Sequence, residues 1–167
     1  YVIRKNAGVV ISLASGTYFD EQKVTLSSTL SGAEIRYTTD GQTPNATTGT
    51  VYSAGTEITI DRSMVLKACA IGTGIDPTPV SKTYTLIVGN PAITTGAGTY
   101  TSKATITLVA SSSTAGAALW YTTDGSTPAM NGANSTQYAG PFDLLASCTL
   151  KVIAFKGNLS PSATSSA

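Results

Sequence analysis

Gly32-Ala33-Glu34-Ile35-Arg36-Tyr37-Thr38-Thr39-Asp40-Gly41-Gln42-Thr43-Pro44 returns 84 positions later as Gly116-Ala117-Ala118-Leu119-Trp120-Tyr121-Thr122-Thr123-Asp124-Gly125-Ser126-Thr127-Pro128. Working outward, Leu66-Lys67-Ala68-Cys69-Ala70 returns as Leu150-Lys151-Val152-Ile153-Ala154 at the same offset of 84. Gly16-Thr17-Tyr18 and Val24-Thr25-Leu26 return as Gly98-Thr99-Tyr100 and Ile106-Thr107-Leu108 at an offset of 82. The two-residue slip is placed near Ser111-Ser112-Ser113, as a loop insertion. Self-similarity at a fixed period is the signature of a repeated structural unit. The expected organisation is a short N-terminal strand over 1–7, a first domain over 8–88, a linker over 89–91 and a second domain over 92–167. Gly89, Asn90 and Pro91 make that joint short and stiff.

Each repeat alternates apolar and polar residues in short runs, the period of a half-buried strand. Val24/Leu26, Ile35/Tyr37, Ile58/Ile60 and Leu66/Ala68/Ala70 are the expected core faces. Turn residues separate them: Ser31-Gly32, Asp40-Gly41, Thr43-Pro44, Gly55 and Gly72. No helical stripe competes. Short strands at this spacing predict an all-β protein of two tandem antiparallel β-sandwiches. The chain of 167 residues holds 28 Thr and 19 Ser, a bias towards strands and turns, and its hydrophobic content of 41% suffices for packed cores.

The composition also excludes functions. Charged residues make up only 11% of the chain and the net charge is +1, so no nucleic-acid surface is expected. The absence of histidine removes Ser-His-Asp and Cys-His nucleophile pairs and any His-ligated metal. No apolar run approaches the ~18 residues of a membrane span. The chain begins at Tyr1, and is expected to be a processed form or a window of a longer polypeptide. Few Lys and Glu among many Thr, Ser and Gly lean towards an extracellular or cell-surface location.

The Tyr-Thr-Thr-Asp-Gly-x-Thr-Pro centre, the Gly-Thr-Tyr start and the Leu-Lys-Ala/Val-x-Ala strand occur twice and in order. In these motifs each repeat resembles the chitobiase/β-hexosaminidase C-terminal-type domain, an immunoglobulin-like sandwich of prokaryotic secreted and surface proteins. The resemblance implies the fold and a setting outside the cell. It implies no catalytic residue, because that family's chemistry belongs to a separate barrel domain, and it does not settle a role.

Asp40 and Asp124 are read as turn residues, since Asp-Gly supplies the positive φ of a tight turn. The nine acids form no acid and base pair, so no enzyme activity, cofactor or metal is expected. If Leu119 and Tyr121 face the core, strand parity turns Trp120 outward, together with Ile153 and Phe155 on the neighbouring strand. These three are the expected apolar patch, for a subunit contact or, secondarily, for stacking a sugar ring. The same parity makes Cys148 a buried hydrophobe and Cys69 an outward thiol able to join domains or subunits. Asn45 and Asn134 head glycosylation sequons in the same loop of each repeat, and Asn158 heads a third.

The phase of the repeat carries the functional expectation. Repeat 1 closes with Lys82-Thr83-Tyr84-Thr85-Leu86-Ile87-Val88, with Tyr84, Leu86 and Val88 on one face. The counterpart of Tyr84 would be a residue 168, one past Ala167. Repeat 2 is therefore expected to have an open apolar cleft, while Tyr1-Val2-Ile3-Arg4-Lys5 reads as a closing strand with no domain of its own. The two liabilities cancel if the N-terminal strand of one chain completes repeat 2 of the next. Tyr1 and Ile3 would then fill the cleft, with Tyr1 at place 168. Such a head-to-tail contact does not close and yields a homopolymeric filament. The alternative is a non-catalytic spacer or carbohydrate-binding module, with glycans rather than other copies as partner.

Overall fold

The computed structural model describes Lys5, Asn6 and residues 8–167; Tyr1, Val2 and Ile3 lie outside them. Its described residues form strands and loops with one short 3-10 turn, Ser112–Thr114, in two compact units, Tyr1–Leu86 and Ile87–Ala167. The break falls two residues before the expected end of the first domain at 88, and Val88 packs into the core of the second unit. Its amide donates to the Ser160 carbonyl at 2.8 Å.

In the first unit one sheet runs Gly16–Tyr18, Val80–Leu86, Met64–Ile71, Glu34–Thr38, Thr50–Val51. The other layer is made of Val9–Ile11 paired with Leu26–Ser28, and Gln22–Val24 paired with Ile58–Ile60. Alternation decides what meets in the middle: Val9, Ile11, Val24, Leu26, Ile58 and Ile60 are buried from one layer, and Ile35, Leu66, Ala68, Ala70, Tyr84 and Leu86 from the other. Each fully buried aliphatic side chain contributes ~1.5–3 kcal/mol. The second unit repeats the plan with Thr136–Gln137, Ala118–Thr122, Lys151–Phe155 and Ser165–Ser166 in one sheet. Ala92–Ile93 with Leu108–Val109, and Ala104–Ile106 with Phe142–Leu144, make its other layer. Both units are immunoglobulin-like β-sandwiches.

The repeated Thr-Thr-Asp-Gly segment is a turn in both. Asp40 Oδ1 accepts the Gln42 amide at 3.0 Å and Asp124 Oδ1 that of Ser126 at 2.9 Å. Gly41 and Gly125 hold φ of +81° and +78°, where a side chain would be strained. The upstream threonines tie the same turn: Thr38 Oγ1 donates to the Gln42 carbonyl, and Thr122 Oγ1 to that of Ser126 at 2.6 Å.

The closing strand of the first unit is held on both sides. Tyr84–Leu86 pairs parallel with Gly16–Tyr18, while Val80–Tyr84 pairs antiparallel with Met64–Ala68. Tyr84 has no exposed surface, and its phenol donates to the Leu13 carbonyl at 3.0 Å. The N-terminal end joins this unit as well: Lys5–Asn6 pairs parallel with Ile75–Asp76. Of the segment 1–7 expected to serve a neighbouring chain, residues 5 and 6 therefore belong to their own sandwich.

Burial pushes the Tyr84 phenol up to about 12. In the unfolded chain a tyrosine titrates near ~10. The folded-state value is the higher one, so this stabilisation is complete below pH ~10 and is lost as pH rises towards 12. Denaturant titrations of the first unit across that window should show a falling midpoint. Tyr84→Phe should flatten the fall, at a cost of about 1 kcal/mol at neutral pH for the lost hydrogen bond. An unchanged slope in the variant would contradict the assignment.

Candidate functional site

The second unit has a cleft where the first has a strand. Ser165–Ser166 pairs with Lys151–Val152, and Ala167 exchanges two backbone hydrogen bonds of 3.0 Å with Leu150. Among the described residues no strand pairs with Ser147 and Cys148, the counterparts of Ser63 and Met64. Gly98–Tyr100, the counterpart of Gly16–Tyr18, forms no ladder. Between these edges is a cavity of about 510 Å³, floored by Ala104, Ile106, Leu144 and Leu150 and rimmed by Tyr100 and Cys148. A smaller cavity adjoins it across Ala167, under Ile93 and Thr95.

The first unit shows what this edge looks like when filled. Ile60 is wholly buried, while its counterpart Leu144 is half-buried and the next residue, Leu145, is 80% exposed. Tyr18 packs against Tyr84 with ring centroids 6.2 Å apart. Tyr100, its counterpart, is 49% exposed, though its phenol still donates to Gly96 as Tyr18 does to Ala14. Ser63 Oγ accepts the Leu86 amide at 2.9 Å, and Ser147 keeps that hydroxyl in the open cleft. The lining mixes apolar Ala104, Ile106, Leu144 and Leu150 with polar Thr99, Thr101, Ser102 and Ser147, which suits a peptide strand.

Trp120 and Ile153 are direct cross-strand partners, and Phe155 lies opposite Ala118 on the same face. Parity is therefore as expected, but exposure is not. Ile153 is 9% exposed and counts with the core, while Trp120 and Phe155 are half-buried. Cys69, the counterpart of Ile153, is fully buried, and its thiol donates to the Pro44 carbonyl at 3.1 Å. The loop after the Asp-Gly turn folds back over this outer face. Gly49 lets it pass, since a Cβ there would lie 2.9 Å from the Tyr37 carbonyl. Pro128, the counterpart of Pro44, is buried too. Outward parity thus fails to predict exposure because a second layer of chain covers the sheet. The one signal for it was Thr-Pro recurring after both turns.

The cysteine expectations reverse. Cys69 is no surface thiol, and burial pushes its pKa up. Cys148 is exposed at the cleft rim. It precedes Lys151–Phe155, and without a pairing partner the alternation of that strand does not reach it.

The remaining polar groups read as surface structure. Asp124 is held below the usual carboxylate range, first by the Ser126 hydroxyl and also by the Asn134 amide, whose Nδ2 donates at 3.1 Å. Asp143 is lowered by Lys103 at 2.7 Å and Thr105 at 2.6 Å. Asn45 is exposed, and its Oδ1 accepts the Thr47 and Thr48 amides, both at 2.9 Å. Among the described residues no three His, Cys, Asp or Glu gather to hold a metal, and no helix is long and apolar enough to cross a membrane.

The chitobiase/beta-hexosaminidase C-terminal domain model matches residues 13–85 and 95–166, one match per unit. The chain belongs to this family. Each sandwich is thus one chitobiase/beta-hexosaminidase C-terminal domain, and the first match ends within the closing strand. No curated protein sequence matches the chain. Among solved structures it is similar to the fibronectin(III)-like modules of Clostridium thermocellum CbhA, at 15% identity and a TM-score of 0.33, covering 95% of this chain and 91% of that one. It is also similar to domains 7, 8 and 9 of the S-layer protein SbsC, at 15% identity and a TM-score of 0.30, covering 99% of this chain and 59% of that one.

The thiols offer a direct check of the outer-face cover. In the monomeric chain a maleimide should modify one cysteine, Cys148, within minutes, and the second, Cys69, only in denaturant. Two fast thiols would refute the cover over Cys69.

Proposed function

We propose that the chain is the structural subunit of an extracellular, pilus-like filament, assembled head to tail by donor-strand complementation. The observation that carries this reading is the open cleft of the second sandwich beside the filled one of the first. Unit 1 buries Tyr84 and Leu86 at that edge; Tyr1-Val2-Ile3 has the same aromatic-x-aliphatic pattern. The hand-over of the chain supports it too. Tyr84–Leu86 closes the first unit, and Val88, two residues on, bonds to Ser160 of the second. In the same way Tyr1–Ile3 precedes Lys5–Asn6, which pairs with Ile75–Asp76 of the first unit. The donor segment is then residues 1–4, with residues 5 and 6 serving their own sandwich. Membership of a family of C-terminal domains and the low charge agree with a non-catalytic protein on the cell surface.

A carbohydrate-binding module is the second reading, favoured by one observation. Gln137, an exposed amide, lies opposite half-buried Trp120 and could accompany a sugar stacked on the ring.

Removing residues 1–4 should give soluble monomers whose second unit is destabilised while the first keeps its own closing strand. A free peptide of residues 1–5 should restore the second unit without restoring filaments. Continued polymerisation of the truncated chain would sink the strand exchange, as would native fibres that run only as far larger covalent chains on a denaturing gel. Retention on chitin by a monodisperse monomer, lost on Trp120→Ala, would favour the module instead.

Pure protein should hydrolyse no glycoside. Measurable glycosidase activity that Asp124→Ala abolishes with the fold intact would overturn the structural role.

A further inference from the structure

The repeat offset of 84 puts the counterpart of Tyr84 one place past Ala167. The ladder in the second unit does not follow that offset. In unit 1, Ala68 faces Val80 and Leu66 faces Lys82. In unit 2 the counterparts Val152 and Leu150 face Ser165 and Ala167, each one residue later than the offset requires.

The extra residue sits at Ala163–Thr164. Ser162 is still in the unslipped register, its amide donating to the Ala154 carbonyl at 3.1 Å. Ala163 then turns away, and its amide donates to Asn90 Oδ1 at 3.2 Å. The Ser162 hydroxyl takes over, accepting the Ala154 amide at 2.9 Å and donating to the Ala163 carbonyl at 2.8 Å. One residue more on one strand than on its partner is a β-bulge, and every side chain beyond it changes face.

The bulge decides which places of the missing strand face the core. Directly opposed residues share a face. Ala167 shares that of buried Leu150, so the place just past Ala167 points away from the core. The next place, opposite Cys148, points in.

We propose that the cleft takes the N-terminus of a second copy with Tyr1 opposite Cys148, Val2 turned outward and Ile3 inward beside Ser147. This rests on the strand-exchange reading above and fixes its register, one place further on than the bare repeat predicts. Three contacts in unit 1 define the docking. Tyr84 donates to the Leu13 carbonyl, and Thr95 is the counterpart of Leu13 for the Tyr1 phenol. Tyr18 meets the Tyr84 ring, and Tyr100 stands exposed for that of Tyr1. Ser63 Oγ accepts the Leu86 amide, and Ser147 Oγ is placed for the Ile3 amide. In the unslipped register Tyr1 and Ile3 would both point out of the cleft and only Val2 would enter it.

Cys148 reports the register. Opposed residues of an antiparallel pair have Cα atoms ~5.5 Å or less apart, within reach of a disulfide. The next residue along is ~3.4 Å further and points the other way. Tyr1→Cys, Val2→Cys and Ile3→Cys are made in the full chain, assembled, oxidised mildly and run on a non-reducing denaturing gel. Tyr1→Cys should give a ladder of multimers that Cys148→Ser abolishes, and the other two should run as monomers. Should Tyr1→Cys stop assembly, doping it as a minority into unaltered filaments should give dimers instead of a ladder. A ladder from Val2→Cys would overturn the slipped register and leave strand exchange standing. No cross-link from any of the three in intact filaments would overturn the register, and if removal of residues 1–4 also left filaments, strand exchange would fall with it. Independently, Ser147→Ala should raise the critical concentration for assembly about 5- to 10-fold, the worth of one hydrogen bond. An unchanged critical concentration would remove Ser147 from the docking.

Discussion

The closing strand of the first sandwich lies inside its sheet, not at its margin. In the first unit Tyr84–Leu86 is gripped by Gly16–Tyr18 on one side while Val80–Tyr84 holds Met64–Ala68 on the other. One segment therefore satisfies two rows of backbone groups and supplies two core side chains, Tyr84 and Leu86. In the second unit, among the described residues, Gly98–Tyr100 forms no ladder, and Leu144 is only half-buried at the cleft. A backbone group left unpaired beside an apolar floor is costly, and an open ladder is a template for another chain. The cleft and the linker hand-over both follow from this placement.

The linker shows the economy of the arrangement. The break between the compact units falls at Leu86/Ile87, inside what reads as one continuous apolar strand. Its first half belongs to one core and Val88 to the next. A segment with two allegiances cannot be assigned to either domain by pattern alone, which is why the reading from residues ended the first domain at 88.

Much of the architecture was legible because the chain states it twice. Alternation at Val24/Leu26, Ile58/Ile60 and Leu66/Ala68/Ala70 picked out buried faces, and Asp-Gly marked both turns. The misses have a common cause. Parity tells which way a side chain leaves its sheet, not what lies over the sheet, so Cys69 and Ile153 were expected at the surface and are buried under it. Parity also requires a ladder, and Cys148, which pairs with no strand among the described residues, escaped it. The bulge at Ala163–Thr164 is invisible to an ungapped repeat, because Pro77 and Pro161 align before it and Ser81 and Ser165 align after it at the same offset.

The way the chain passes from Leu86 to Ile87 also sets how tension would act. A pull along the backbone draws Val80–Leu86 lengthwise past its two neighbours. The hydrogen bonds to antiparallel Met64–Ala68 lie across the direction of that pull, and those to parallel Gly16–Tyr18 cross it at a slant. They are loaded in shear, all together, rather than opened one at a time like a zip. A joint built from the same strand would resist stretching by the same geometry, with a strength governed by the rate at which a whole ladder lets go.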